Sequence, residues 1–246
     1  MTDPVLRDRI GPLVRIAPSV SQELGAGIDA VLLSHLHADH TDLRSLRRVA
    51  EHARVLAPTG AGSWLRRRGL TDVEELAPGE ETSVRGVRVR ATPARHHGRR
   101  WRFGAQADPI GFIAHGSQAC YFAGDTDLFD EMSLMAGSID LALLPIAGWG
   151  RKVGPGHLDA QRSATAAARI APRVAVPIHW GTLAMGSPAR RPADPGRPAR
   201  RFVELAARTA PAVEVRVLMP GERTEVHGQP AAQNSAGNAV TREGSG

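Results

Sequence analysis

The 246-residue sequence predicts an α+β fold in which two mainly antiparallel sheets pack face to face with helices outside. Two observations support this prediction. Short apolar or alternating runs, which are typical of strands, are interspersed with helix-like runs along most of the chain. In addition, four of the strand-like runs end in residues that can bind a metal ion. This pattern indicates that one rim of the paired sheets holds a metal site.

The elements follow one another in a mixed order. Strands are predicted near residues 28–34, 55–58, 82–92, 110–115, 119–123, 141–145, 174–178 and 213–218, and helices near 42–52, 62–68, 128–136, 159–171 and 201–209. The run 80–92 is predicted to be a hairpin that turns at Arg85-Gly86. Residues 187–201 are rich in Pro and Arg, so we predict an irregular, mobile loop beside the site.

The densest group of potential ligands is His35-Leu36-His37-Ala38-Asp39-His40, directly after the apolar run 28–33. On an α-helix, residues two apart point to nearly opposite faces, so His35 and His37 could not bind one ion. At the extended end of a strand they point the same way. Asp39 and His40 are adjacent, so they can share an ion only if the chain curls after His37. The run therefore predicts a strand end that feeds a loop and then a helix.

Three further ligand-capable residues follow later strand-like runs. His96 follows the alternating segment 84–91, Asp125 follows 119–121, and His179 follows 174–176. A single histidine after a strand is more often a packed or surface residue than a ligand. Several of them at equivalent strand ends favour one shared metal site.

With these motifs the chain resembles the metallo-β-lactamase superfamily, and more narrowly the branch of the N-acyl-phosphatidylethanolamine-hydrolysing phospholipase D and the ascorbate-6-phosphate lactonases. The resemblance extends from Thr2 to about Val226. Beside His-x-His-x-Asp-His it rests on four shorter motifs in order, namely Pro93-x-x-His96, Gly124-Asp125-Thr126, Gly156-His157-Leu158-Asp159 and His179-Trp180-Gly181-Thr182. It implies the αββα sandwich of that family.

The resemblance also implies a dinuclear metal centre. The first ion would be held by His35, His37 and His96, the second by Asp39, His40 and His179, and Asp125 would bridge them. Imidazole and carboxylate ligands suit zinc, although manganese, iron or nickel fit the same donors. His97 stays open as an alternative to His96, but the Pro-x-x-His spacing favours His96.

The implied activity is hydrolysis by a metal-bridging hydroxide of a phosphodiester, lactone or other ester, with a small or lipid-like and anionic substrate. His157 is expected to stabilise the oxyanion or protonate the leaving group, with the ordering of its loop as the alternative. Asp39 is the second candidate proton carrier. Two other functions are kept open, a nuclease of the same superfamily and a non-catalytic metal-binding relative.

The amino-acid composition limits the kinds of partner and the cellular location that we expect. The net charge is +6, yet Lys152 is the only lysine among 31 basic residues and the arginine clusters are short and scattered, so no nucleic-acid partner is expected. The group Arg99, Arg100 and Arg102 could meet an anionic substrate. Cys120 is the only cysteine and no apolar run is long enough for a membrane span, so a cytoplasmic location is expected.

The predicted domain covers residues 1–228, and the polar, small-residue segment 229–246 is predicted to be a disordered tail. The resembled family has two strands and a Gly-His-x-Thr motif before the Thr-Asp-Pro segment, whereas here that segment is Thr2-Asp3-Pro4. The fold therefore apparently lacks its first strands. We expect that the natural protein starts upstream, or that another segment or a subunit of a homo-oligomer covers the gap.

Overall fold

The computed structural model describes residues 1–100, 104–151 and 153–226, so Arg102 and the predicted tail 229–246 lie outside the described residues. The strands in the described ranges are β1 (Arg9–Ile10), β2 (Leu13–Arg15), β3 (Ala30–Leu32), β4 (Arg54–Pro58), β5 (Val73–Leu76), β6 (Glu81–Val84), β7 (Val87–Pro93), β8 (Ile110–His115), β9 (Ala119–Phe122), β10 (Leu141–Pro145), β11 (Val174–Ile178), β12 (Leu183–Met185) and β13 (Glu214–Val215). The α-helices are α1 (Leu43–Val49), α2 (Gly62–Arg66), α3 (Ala160–Ile170) and α4 (Arg197–Thr209). Short 3₁₀ helices span Gln22–Gly25, Asp130–Met135 and Pro188–Arg190.

The strands form one large sheet and two small ones. The large sheet has the order β13-β11-β10-β9-β8-β7-β6, and the small sheets have the orders β3-β4-β5 and β1-β2-β12. The hairpin between β6 and β7 turns at Arg85-Gly86 as predicted, and both turn residues have positive φ. That is the backbone of a tight two-residue hairpin turn.

Strand direction differs from the expectation of mainly antiparallel sheets. In the large sheet the pairs from β6 to β9 are antiparallel, but β9, β10, β11 and β13 pair in parallel, and so do β3, β4 and β5. The reason is connectivity, because α1, α2, α3 and α4 each lie between two of these parallel strands along the chain. Such crossover connections require the following strand to run in the same direction.

Alternating side chains place a hydrophobic layer on each face of the large sheet and of the small sheet β3-β4-β5. In β3-β4-β5, Val31 and Val55 pack with Leu46 of α1 and Leu65 of α2, whereas Leu32 and Leu56 face the large sheet. The large sheet repeats this arrangement. Phe112 and Phe122 face Leu56, while Tyr121 and Leu144 pack with Ala164 of α3 and Phe202 of α4. The layers are therefore helix, sheet, sheet and helix, which confirms the predicted αββα sandwich.

Two local predictions need correction. Residues 187–201 are not irregular throughout, because α4 begins at Arg197 and Pro198 lies in its first turn. Proline is favoured there, since the first amide groups of a helix have no intrahelical acceptor. The predicted helix near 128–136 is a 3₁₀ helix at Asp130–Met135.

The edge of β3 away from β4 pairs with the first residues of the chain. The Leu32 amide donates to the Met1 carbonyl, the Asp3 amide donates to the Leu32 carbonyl, and the Met1 amino group donates to the Ala30 carbonyl. Residues 1–3 thus occupy the place of a strand beside β3. That the natural protein carries further strands upstream stays a prediction.

No helix in the described ranges combines the length and the apolar character that crossing a membrane requires.

Candidate metal centre

The histidine-rich run begins just beyond β3, and its backbone curls after His37 as the sequence predicted. The amides of His40 and Thr41 both donate to the His37 carbonyl, and the Thr41 hydroxyl donates to the His35 carbonyl. Asp42 is the N-cap of helix α1, and its carboxylate accepts a hydrogen bond from the Ser45 amide. The strand end, the curl and the capped helix hold the four ligand-capable side chains at one rim of the sheets.

The first cluster consists of His35, His37 and His96. The Nδ1 atom of His37 lies 2.9 Å from His35 Nε2 and 3.1 Å from His96 Nε2. Ligand nitrogens at the corners of a zinc tetrahedron lie about 3.3–3.4 Å apart, given metal–nitrogen distances of about 2.0–2.1 Å. The three nitrogens therefore have nearly the separation that a single small cation imposes. His97 is exposed, whereas the side chain of His96 reaches the cluster.

The second cluster consists of Asp39, His40 and His179. The Nε2 atoms of His40 and His179 lie 3.0 Å apart, and an Asp39 oxygen lies 3.8 Å from each of them. His179 follows β11 directly and has φ of 61°, in the left-handed region that a histidine rarely adopts. This backbone conformation aims its ring at His40.

Asp125 lies between the two clusters, at the end of β9. Its Oδ2 is 3.2 Å from His40 Nε2 and its Oδ1 is 3.6 Å from His179 Nε2. The preceding Gly124 has φ of 60°, and a Cβ atom there would come within 2.5 Å of the Ser34 Cβ. The close approach of the two chain segments that brings Asp125 to the clusters therefore requires glycine at 124.

The outward-facing nitrogen of each clustered histidine meets an acceptor. His37 Nε2 donates to the Arg99 carbonyl, His96 Nδ1 to the Gly156 carbonyl and His179 Nδ1 to the Ala147 carbonyl. His40 Nδ1 donates to the Asp3 carboxylate at 2.7 Å. His35 Nδ1 lies 3.0 Å from the Ser34 hydroxyl, which itself donates to Asp3.

These outer contacts fix the tautomers of the neutral histidines, so the inward nitrogens of the first cluster present lone pairs to one another. Asp125 Oδ1 is buried and has no hydrogen-bond donor in the described part of the chain. Lone pairs about 3 Å apart repel, and an unpartnered buried carboxylate oxygen is costly. Bound cations would relieve both penalties, and such outer hydrogen bonds are typical of metal-binding histidines. The donor set therefore fits metal ions.

The protonation tendencies differ between the clusters. Burial lowers the pKa of His35 well below its usual value, lowers that of His37 and lowers the pKa of His96 to about 4. Burial also lowers the pKa values of His40 and His179, but the neighbouring carboxylates, chiefly Asp125, outweigh it and raise both. In the metal-free protein the first cluster is therefore harder to protonate than the second.

The carboxylates show the complementary shift. Burial raises the pKa values of Asp39 and Asp125, but the facing histidines outweigh it and the net pKa of each lies below its usual value. Both side chains are therefore ionised, as metal ligands must be.

His157 lies beside the clusters rather than within either trio. Its Nε2 is 3.4 Å from Asp125 Oδ2, its ring lies 4.5 Å from that of His96, and its Nδ1 faces the carbonyls of Gly154 and Pro155. The hydrogen bond to Asp125 raises the pKa of His157. Its side chain is 26% exposed, so it can reach both Asp125 and solvent. The imidazole also lies near enough to His96 and Asp125 to share a metal ion with them.

One contributing residue, Asp3, was not among the sequence-predicted site residues, and Arg100 makes contacts that were not predicted. Asp3 accepts hydrogen bonds from His40, the Ser34 amide and the Ser34 hydroxyl. The only feature of the sequence that pointed to Asp3 was its position in the Thr-Asp-Pro segment of the resembled family. Arg100, expected to meet an anionic substrate, instead donates to backbone carbonyls of the histidine-rich run. The reason is that a partly buried guanidinium needs acceptors, and these carbonyls are the acceptors within reach.

A cavity of about 280 Å³ borders the second cluster. Asp39, His40 and His179 line one side of it. The remaining lining is largely apolar and includes Val5, Phe122, Leu143, Trp149, Ile178 and Leu183. No lysine or arginine of the described residues lines this cavity.

The chain is similar to several known proteins. An uncharacterized protein of Mycobacterium tuberculosis is 30% identical over 93% of the chain, and the chain spans 64% of the length of that relative. A UPF0173 metal-dependent hydrolase of Opitutus terrae is 34% identical, with 80% of the chain and 82% of the relative covered.

Among solved structures, the metallo hydrolase Igni18 of Ignicoccus hospitalis is similar, with a TM-score of 0.58 and 28% identity over 79% of this chain and 77% of that one. The family model described as the beta-lactamase superfamily domain matches residues 1–180, which include the whole histidine and aspartate cluster. The chain therefore belongs to the beta-lactamase superfamily, in its metallo-β-lactamase fold, and the resemblance to this superfamily and its metal-dependent hydrolases is confirmed, whereas the narrower branch stays a prediction.

Proposed function

We propose that this chain is a dinuclear metal-dependent hydrolase that cleaves an ester, lactone or phosphodiester bond. The observation that carries the proposal is the convergence of two trios of ligand atoms on either side of Asp125, whose Oδ1 is buried and unpartnered among the described residues. The similarity to proteins named as metal-dependent hydrolases supports the same activity.

In this proposal His35, His37 and His96 would hold one ion, Asp39, His40 and His179 would hold the other, and Asp125 would be a ligand of both. Zinc is the preferred metal because nitrogen and carboxylate donors in a compact array suit it, while manganese, iron and nickel accept the same donors. When bound, divalent ions polarise the substrate oxygen and lower the pKa of water to near 7, which supplies a nucleophile at neutral pH.

His157 and Asp39 are the proposed catalytic side chains. His157 can hold a proton at Nε2, beside Asp125, and is exposed enough to donate it to a leaving group. Asp39 lies within 3.8 Å of both histidines of its cluster and lines the cavity, so it can accept a proton from the attacking water. The alternative role of His157 as a further ligand predicts metal loss in His157→Asn. The catalytic role predicts full metal content with a lowered kcat.

The cavity lining supports a substrate with an apolar group beside the scissile bond. Phe122, Leu143 and Ile178 offer contact area for an acyl or alkyl substituent, whereas a fixed anionic group would meet no lysine or arginine of the described residues there. Negative charge that develops during attack would be balanced at the metal centre itself. We therefore favour a small or lipid-like ester over a strongly anionic substrate.

Of the two alternative functions, the nuclease gains little support from the contacts of the arginines. In the described residues the guanidinium groups of Arg66, Arg68 and Arg191 donate to carbonyls of their own chain, and Arg200 and Arg201 pair with Asp194 and Glu204. Arginines engaged in this way favour a structural role over a nuclease surface. A non-catalytic relative would bind metal at the same residues without turnover, so only an activity measurement separates it from the hydrolase.

The test combines metal analysis with a substrate panel. Purified protein should contain about two transition-metal ions per chain and should hydrolyse at least one ester, lactone or bis-p-nitrophenyl phosphate probe. His35→Ala and Asp125→Ala should lose metal and activity, whereas His52→Ala, which alters an exposed histidine away from the site, should retain both. A chelated parent protein should recover activity with added zinc. Well-folded protein that binds no transition metal would contradict the proposal, and stoichiometric metal without turnover would favour the non-catalytic relative.

A further inference from the structure

Arg100 lies outside the ligand set, yet its guanidinium contacts the histidine-rich run at both ends. Its Nη1 donates to the Leu36 carbonyl at 2.6 Å and to the Thr41 carbonyl at 3.0 Å. The residues between these two carbonyls include His37, Asp39 and His40. One guanidinium group therefore spans the segment that supplies ligands to both clusters.

The guanidinium is itself held in place. It lies over the Trp64 ring at 4.7 Å from the centroid, and Trp64 is buried in α2. Burial lowers the pKa of Arg100, but arginine stays charged in proteins. The neighbouring Arg99 carbonyl accepts from His37 Nε2. Residues 99 and 100 thus hold the ligand run through one backbone and two side-chain contacts.

We propose that Arg100 is a positioning residue that fixes the 36–41 run and thereby sets the affinity and the geometry of the metal centre. This inference rests on the proposed function, because it assumes that metal binds there. Hydrogen bonds from a charged donor are stronger than those between neutral groups. Their loss would let the run shift and separate the nitrogens that now converge within 3.1 Å.

The experiment compares two arginines that share a neighbour. Arg68 also lies over the Trp64 ring, at 4.0 Å, but its guanidinium donates to the Trp64 carbonyl and not to the ligand run. Arg100→Gln and Arg68→Gln therefore remove the same charge next to the same tryptophan. Each variant and the parent would be freed of metal and titrated with Zn²⁺ against a chromophoric chelator. The visible absorption spectrum of Co²⁺-substituted protein would report the coordination geometry.

We expect Arg100→Gln to weaken zinc binding by about 10- to 100-fold, the range typical of lost outer hydrogen bonds, and to change the Co²⁺ spectrum. Arg68→Gln should stay within about twofold of the parent, with an unchanged spectrum. Arg100→Lys retains the charge and a donor but not the planar fork, so its affinity should lie between Arg100→Gln and the parent. If Arg100→Gln does not fold without metal, the comparison of Arg100→Lys with Arg68→Lys serves in its place.

The outcomes separate this inference from the proposed function. A parent that binds no Zn²⁺ would overturn the metal centre and, with it, the role of Arg100. A parent that binds Zn²⁺ while Arg100→Gln binds it equally well would overturn the positioning role alone. Equal losses in Arg100→Gln and Arg68→Gln would likewise overturn it, because charge or the tryptophan contact would then explain the effect.

Discussion

Asp3→Asn should weaken metal binding even though Asp3 belongs to neither ligand cluster. The Asp3 carboxylate accepts from the Ser34 amide at 2.8 Å, from the Ser34 hydroxyl and from His40 Nδ1 at 2.7 Å. An asparagine can keep its oxygen toward only one side. If the oxygen stays with the Ser34 amide, the NH₂ group faces His40 Nδ1, so His40 must move its proton to Nε2. That proton then points to where a metal ion would bind.

The magnitude follows from the geometry. The lost contact is a buried hydrogen bond to a charged acceptor, since the Asp3 and His40 side chains are 7% and 6% exposed. Such a bond is worth about 1.5–3 kcal/mol, which corresponds to a loss of about 10- to 150-fold in affinity. The metal-free protein should also lose about 1–3 kcal/mol of its free energy of unfolding, because partners of a removed buried acceptor are left unsatisfied.

Zinc competition titration measures the affinity, and urea denaturation of the metal-free protein measures the free energy of unfolding. Asp29→Asn is the matched control. Asp29 pairs with Arg85 at side-chain exposures of 56% and 81%, and such a surface pair contributes about 0–1 kcal/mol. If Asp3→Asn bound zinc within about threefold of the parent, well short of the range typical of a lost outer-shell partner, the argument from the His40 tautomer would be refuted.

Three further predictions concern the same centre. Metal binding at pH 7 should release protons from the cluster of His40 and His179, whose pKa values are raised, so the metal affinity should fall as the pH is lowered. Calorimetry of the parent protein in two buffers of different ionisation enthalpy measures the number of protons released, and binding without proton release would contradict this prediction. Free zinc at about 1,000 times its Kd should raise the free energy of unfolding by about 4 kcal/mol per site, and denaturation curves with and without chelator that coincide would contradict this. Gly124→Ala should displace Asp125 because the new Cβ would meet the Ser34 Cβ at 2.5 Å. The zinc content, measured by elemental analysis, should therefore fall. Full zinc content in this variant would show that the chain segments at Ser34 and Gly124 can move apart.

Strands that are buried on both faces were the most predictable elements. β8, β10 and β11 end where their apolar runs end, because such strands have few polar positions to blur the boundary. β1, β2 and β12 were not predicted. They have two or three residues each, too few for a periodic pattern, and β12 pairs with β2 from a distant segment of the chain. β5 was not predicted because Glu74 and Glu75 interrupt its apolar pattern. Glu75 accepts hydrogen bonds from the amides of Gly60 and Gly62 at the start of α2.

The site could be predicted to the extent that it depends on strand ends. Parallel strands present their carboxyl ends at a common edge, which is why Asp125 after β9 and His179 after β11 lie near each other. The run after β3 meets them from the facing sheet. The roles of Asp3 and Arg100 depend on contacts 37 and 64 residues away along the chain, and neither residue type is diagnostic by itself. Whether the clustered residues bind metal as assigned stays a prediction.

The left-handed backbone conformation at His179 affects which residues are favoured at this position. For an L-residue with a side chain, that conformation costs about 1–2 kcal/mol, and glycine or asparagine would adopt it more cheaply. A library selected only for folding in the absence of metal should therefore replace this histidine early, with some variants more stable than the starting sequence. Selection for turnover should restore it, so stability and activity make opposite demands at position 179, which the residues of β11 before it do not face.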